Sequence, residues 1–178
     1  MFVFLEILFD DHIDTVCAID TTSFITIMDS VCNGVSSFST EVVIACARIL
    51  NRVATYIYLN QYKDTETVTN IKRIMKAQPN FWNVVLTSVL NAFIFGSANT
   101  FWELSKPFYS ICLVEPQAFN LYVKGACSTQ DTMVQMKLME DSEVLINSLD
   151  YAMSQQSMDE FSKKAVAWRR QYLSYMQL

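Results

Sequence analysis

Three glycines and three prolines punctuate 178 residues. An all-β chain of this size needs a turn signal every 8–12 residues or so, and here the signals are far too few. The scarcity points to helices. Each proline, Pro79, Pro107 and Pro116, can be placed in the first turn of a helix, where a missing N–H costs nothing. Gly34 and Gly96 follow apolar-periodic runs, as glycines just past a helix end do. Read with those marks, the chain divides into nine helical segments near 2–15, 21–33, 39–62, 64–77, 79–95, 103–114, 116–127, 130–154 and 156–176.

Several segment starts have a chemical reason. Ser39, ahead of Thr40-Glu41-Val42, is expected to cap the segment it precedes, with Glu41 facing the positive helix end. Asp64, Ser105 and Asp131 are expected to cap theirs. In the longest run, Val42, Cys46, Ile49, Leu50, Val53, Ile57 and Leu59 form an apolar face, with Arg48 and Arg52 on another. In FWELSKPFYSICLVEPQAF, residues 101–119, Ser105 is expected to cap and Pro107 to lie in the first turn. Phe108, Ile111, Cys112 and Leu113 turn inward, and Pro116 pushes Glu115 out of helical geometry. FYSICLV is then a short buried helix, with Trp102 and Phe108 as core anchors beside the corner.

With 52% hydrophobic residues the chain can bury a sizeable core as one unit or as a few stacked repeats, but hardly as two domains. Short corners between apolar helices fit an all-α array. The expectation is an α-solenoid of HEAT-type helix pairs, about four repeats of roughly 40–47 residues, spanning 1–178 as one segment of a longer array. A compact bundle is the other architecture that short corners allow. The rival reading is a small membrane protein using residues 77–102, an uncharged run of 26 residues and long enough to cross about 30 Å of hydrocarbon. Against it, Asn80, Asn83, Thr87 and Asn91 form a polar stripe, with Phe81, Val84, Val85, Leu86, Val89, Phe93 and Ile94 on the other faces. No membrane insertion is expected. A signal peptide is not expected either: MFVFLEILF lacks a basic start and is interrupted by Glu6, Asp10 and Asp11.

The residues offer packing rather than chemistry. Cys17, Cys32, Cys46, Cys112 and Cys127 are odd in number, without a C-x-x-C pair, and read as buried hydrophobes in a reducing compartment. His12 sits among Asp10, Asp11 and Asp14, but on a helix it points away from the face that Asp10 and Asp14 share. Met133, Met136 and Met139 read as a core-facing stripe, and Glu140, Asp141 and Glu143 as a wet face. Nothing here is assigned as catalytic, cofactor-binding or metal-ligating, and no enzyme is expected. A net charge of -5 argues against nucleic acid as a partner. Two basic groups, Lys72, Arg73 and Lys76, and Lys163, Lys164, Arg169 and Arg170 beside Trp168, read as solvated faces that can also touch neighbouring segments of an array.

The run Leu86-Thr87-Ser88-Val89-Leu90-Asn91, then Ile94-Phe95, Trp102, Ser105-Lys106-Pro107, Glu115 and Phe119, resembles the C-terminal region of the exportin-7 (Ran-binding protein 16) family of the importin-β superfamily. Phe4-Leu5-Glu6 with His12, and Phe161 followed by Trp168-Arg169-Arg170, agree in order and spacing, so the resemblance covers essentially the whole chain. This chain departs from the family pattern in having Lys106 where the family has arginine, in lacking an acidic residue near Gly96, and in a shorter segment around Lys63. The resemblance implies a HEAT-repeat nuclear transport receptor that binds Ran in its GTP state, carries protein cargo out of the nucleus and meets nucleoporins at the nuclear pore complex, shuttling between nucleus and cytoplasm. It also implies that the main Ran-binding repeats lie in N-terminal sequence absent here. No cargo- or Ran-binding residue is carried over. A free-standing helical adaptor is the remaining alternative. The isolated chain is expected to self-associate through the apolar residues 1–9 and not to bind Ran by itself.

Overall fold

The computed structural model describes residues 2–176. Among them are ten α-helices and one 3₁₀ turn, with no strand. The helices are α1 (Phe2–Asp11), α2 (Ile13–Ala18), α3 (Thr21–Gly34), α4 (Thr40–Asn60), α5 (Glu66–Ala77), α6 (Phe81–Phe95), α7 (Phe101–Val114), α8 (Pro116–Cys127), α9 (Thr132–Asn147) and α10 (Gln155–Tyr175). The 3₁₀ turn, Ala98–Thr100, runs straight into α7.

The helices stack as a repeating two-layer array. In one layer α4 packs between α1 and α7, and α7 between α4 and α10; the contact of α4 with α7 is the most extensive in the molecule. In the other, α3 lies beside α6, α6 beside α8 and α8 beside α9. The pairs α3–α4, α6–α7 and α9–α10 each step from the second layer into the first through a short corner. The first-layer helices begin at Phe2, Thr40, Phe101 and Gln155. That interval is uneven because α5 is inserted before one rung and α8 before another, which hides the repeat in the sequence.

Helix starts follow side-chain capping only in part. Asp131 caps α9, accepting from Met133 N and Val134 N at 2.9 and 3.0 Å. Pro116 sits at the first turn of α8, with Glu115 at φ -138° and ψ 81°, outside helical geometry. α5 is capped by Thr65 rather than Asp64, through Val68 N at 3.3 Å. Ser39 occupies the cap position of α4 without a side-chain bond; its own N–H donates to the Ser37 hydroxyl instead. The expected first segment breaks at His12 into α1 and α2, and the segment expected at 130–154 ends at Asn147. Gly34 is the last residue of α3 and Gly96 the cap of α6, yet neither has positive φ. At Gly34 a Cβ would collide with Cys46 Sγ and meet the Phe2 ring at 3.2 Å, so the glycine serves close helix packing.

Pro107 is the main correction. It lies inside α7, six residues after the helix begins at Phe101, and Ser105 does not cap. The Ser105 hydroxyl is buried within hydrogen-bonding distance of the Trp102 carbonyl (2.7 Å) and of the Ser162 hydroxyl on α10 (2.6 Å). Trp102 is 42% exposed and no core anchor, whereas Phe108 is wholly buried. Phe108 stands at the centre of an aromatic cluster, with ring centroids 5.2 Å from Phe119, 5.1 Å from Phe161 and 6.1 Å from Trp168. Ile111, Cys112 and Leu113 point inward as expected. In α4, Cys46, Ile49, Leu50, Val53 and Ile57 are buried, Val42 is half-buried and Leu59 is exposed.

The uncharged run 77–102 is interrupted at Gln78–Asn80 and again at Gly96–Thr100. The helix between, α6, has 15 residues, about 22 Å at 1.5 Å per residue and short of a bilayer's hydrocarbon. Most of its apolar residues are buried, but Val84 and Phe95 are exposed, and Thr87 and Asn91 face solvent. α4, with 21 residues, is long and apolar enough to cross a membrane, but half of its apolar window is buried inside the protein.

Candidate functional site

The residues that the sequence put forward for chemistry do not come together. His12 is exposed at the break between α1 and α2. Among the described residues no group of histidine, cysteine, aspartate and glutamate is placed to hold a metal ion. Glu140 and Glu143 are exposed, and Asp141 accepts a hydrogen bond from the Tyr175 hydroxyl at 2.7 Å. All five cysteines are free and buried. Burial, with the negative charge of Asp14 second, pushes the Cys17 thiol up to about 12; burial does the same for Cys32 and Cys46 and raises Cys112 and Cys127 as well. The thiolate is the nucleophile, so these thiols are inert at neutral pH.

The methionine stripe faces the other way from expectation. Met133, Met136 and Met139 are 70%, 68% and 46% exposed on the outside of α9. The inner face of that helix is built from Leu138, Ser142 and Leu145, with the Ser142 hydroxyl accepting from Trp168 Nε1 at 3.0 Å. A spacing of three places residues on neighbouring positions of a helix, but does not say which side of the helix meets the core.

Of the basic groups, Lys72, Arg73 and Lys76 lie exposed on α5, and Lys163, Lys164 and Arg170 lie exposed on α10. Arg169 is drawn inward. Its Nε donates to the Phe93 carbonyl at 2.8 Å, and its guanidinium lies 3.8 Å above the Phe101 ring. It ties α10 to α6 and to the start of α7, a structural role.

What sequence reading missed is a row of ion pairs across the first layer. Arg48 of α4 reaches Glu6 of α1 at 3.0 Å and Glu103 of α7 at 3.6 Å. Lys106 meets the same Glu103 at 3.1 Å, and Arg52 meets Asp10 at 3.6 Å. Glu6 and Asp10 are four apart, as are Arg48 and Arg52, so two one-turn ladders of opposite sign face each other across α1 and α4. That matched spacing was the available signal. Each exposed pair contributes about 0.2–1 kcal/mol, so the row sets register between rungs more than it stabilises them. The described residues thus offer extended, solvent-facing helix surfaces.

The chain resembles exportin-7 and Ran-binding proteins 16 and 17. It is 22% identical over 175 residues to exportin-7-B of Xenopus laevis, covering 94% of this chain. Ran-binding protein 17 of Homo sapiens is 19% identical over 176 residues, and Ran-binding protein 16 of Drosophila melanogaster 18% over 178, each covering 93% of the chain. In all three the match spans 16% of the relative's own length. No family model and no solved structure matches the chain. Many of the side chains that carry the family likeness, among them Leu86, Val89, Leu90, Ile94, Ser105, Phe119, Phe161 and Trp168, are buried.

Proposed function

We propose that this chain is one segment of a nuclear transport receptor of the exportin-7 kind, residues 1–178 forming a stretch of HEAT-type solenoid near the C-terminus of a longer scaffold. The observation that carries the reading is the collinear likeness over nearly the whole chain to an exportin and to Ran-binding proteins. The two-layer helix array supports it, since a stacked scaffold supplies surface rather than chemistry. In this reading the full receptor takes up Ran in its GTP state and protein cargo, meets nucleoporins during passage, and moves between nucleus and cytoplasm. The segment described here extends the curved surface, while the Ran contact lies in repeats outside it.

The test is capture of the endogenous protein carrying this segment on immobilised Ran. Retention on Ran loaded with a non-hydrolysable GTP analogue, and not on Ran loaded with GDP, is the expected result. Equal retention on both forms, or none, overturns the receptor reading. The 178-residue chain alone is expected to bind neither form; GTP-dependent capture of the chain alone would move the Ran contact into these repeats.

A further inference from the structure

One cleft combines an apolar floor with two unmatched charges. It lies between α4, α5, α6 and the corner from α7 to α8, and encloses about 320 Å³, within the size range of small-ligand pockets. Ile57, Val68, Ile71 and Trp82 form its floor and are between 4% and 8% exposed. Above them Lys72 stands exposed on α5, and Glu115 stands half-buried on the corner before α8. The other clefts that carry charge differ. The one between α8 and α9 holds Lys124 and Glu143, but of its lining only Val123 and Ser142 are buried. The one beside the ion-pair row has its charges already matched.

Three polar groups of this cleft lack a partner. Among the described residues neither Lys72 nor Glu115 takes part in an ion pair, and the Glu115 carboxylate does not cap α8. A buried indole N–H ordinarily finds an acceptor, as that of Trp168 does in the Ser142 hydroxyl. The N–H of Trp82 finds none among the described residues, and it is not one of the side-chain atoms closed to solvent. The cleft therefore presents two donors, one of them cationic, and one anionic acceptor around an apolar floor.

Those needs select a ligand. A carboxylate accepts from Lys72 Nζ and Trp82 Nε1, an ammonium donates to Glu115, and an apolar body covers the floor. A ligand of one sign would meet one of the two charges and be repelled by the other. An uncharged apolar molecule would cover the indole N–H and the half-buried carboxylate and leave both unpartnered. We propose that this cleft binds a zwitterionic α-amino acid with a large apolar side chain, its carboxylate held by Lys72 and Trp82, its ammonium by Glu115, and its side chain laid against Ile57, Val68 and Ile71. The residue at either end of a polypeptide carries only one of the two charges, so the cleft favours the free amino acid. The site does not rest on the transport reading, and either can fail without the other.

The experiment is saturation-transfer difference NMR of L-phenylalanine with the 178-residue chain, kept below the concentration at which the chain self-associates. Saturable transfer to the phenylalanine ring is expected. N-acetylphenylalanine, which keeps only the carboxylate, and phenylalaninamide, which keeps only the ammonium, should each bind about three- to tenfold more weakly. Glycine, a zwitterion without an apolar body, should not compete. Lys72→Gln, at an exposed position, should close most of the gap between phenylalanine and phenylalaninamide, and Glu115→Gln most of the gap between phenylalanine and N-acetylphenylalanine, each with unchanged circular dichroism. Should Glu115→Gln disturb its corner, Lys72→Gln decides alone. The proposal is overturned by an absence of saturable transfer at millimolar phenylalanine, by competition from glycine, or by a Lys72→Gln chain that discriminates as before. Binding of either capped form as tight as that of the free amino acid also overturns it, and assigns the cleft to a polypeptide end.

Discussion

Phe108 and Trp102 stand six residues apart on α7 and belong to different worlds. Phe108 is fully enclosed by Phe93, Phe119, Phe161 and Trp168, so Phe108→Ala should cost about 3–5 kcal/mol. Trp102 keeps 42% of its surface in solvent, and Trp102→Ala should cost less than half as much. Urea unfolding midpoints of the two variants give the comparison, and equal losses would place Trp102 in the core after all. The thiols make a second prediction at this scale. With Cys17, Cys32 and Cys46 pushed up to about 12 by burial, the folded chain should resist a disulfide-exchange reagent at pH 8, whereas the chain in concentrated urea should release colour from all five cysteines. A fast native thiol would contradict the burial.

Helix junctions respond in opposite directions to the same substitution. Gly34→Ala forces a methyl group against Cys46 Sγ, where α3 meets α4, and against Phe2 of α1, and should cost about 1–3 kcal/mol. Gly125 of α8 has open space at its Cβ position, so Gly125→Ala should raise the thermal midpoint by the helix propensity gained, up to about 1 kcal/mol. Asp20, at the cap of α3, and Asp150, in the corner before α10, have their carboxyls held below the usual aspartate range, chiefly by hydrogen bonds from Ser23 and Ser157 respectively. A lowered folded value means a contribution present above about pH 3.8 and lost as pH falls through the folded value. Asp20→Asn with Asp150→Asn should flatten the acid limb of a plot of midpoint against pH below that point; an unchanged limb would remove these carboxyls from the account. Which elements were legible follows from where their cause lies. Pro116 starts α8 through its own fixed ring geometry and Asp131 starts α9 by accepting from Met133 N and Val134 N, and both causes are local enough to be readable. Pro107 breaks the first-turn rule and misleads: it lies inside α7, the helix that packs most extensively against α4. The end of α9 at Asn147 has no glycine or proline to announce it. It depends on Tyr109 donating to the Asp150 carbonyl and Tyr58 to the Tyr151 carbonyl from distant helices. The ion-pair row was hidden for the same reason, since it exists only once separate helices are side by side.

The two ends of the array differ in what they show to water. α10 turns Glu160, Lys163, Lys164 and Arg170 outward, whereas α1 exposes Val3, Phe4 and Ile7, 64%, 68% and 55% in solvent. Of Met1, Phe2, Phe4, Leu5, Leu8 and Phe9, the face expected from sequence, Phe4 alone is exposed: Phe2, Leu5 and Leu8 are half-buried against the core, Phe9 is wholly buried, and Met1 lies outside the described residues. Light scattering at roughly tens of micromolar, where exposed apolar faces associate, should report self-association of the chain and a lower mass for Phe4→Lys; identical masses would clear α1 of responsibility. The corner between α9 and α10 acts at a longer range. A stack in which each rung touches only its neighbours can unzip from an end, and α10 would be the first to fray. Yet residues 148–154 reach past α7 to α4, with Tyr58 donating to the Tyr151 carbonyl at 3.1 Å and Thr55 approaching Met153 Sδ at 3.8 Å, and Met153 is held at φ 50° where it does so. This strap skips a rung, so opening α10 means releasing α4 as well. Amide protons of α10 should therefore exchange with those of α4 and α7 as one cooperative unit, and the last helix of the array is closed like a clasp rather than left as a loose end.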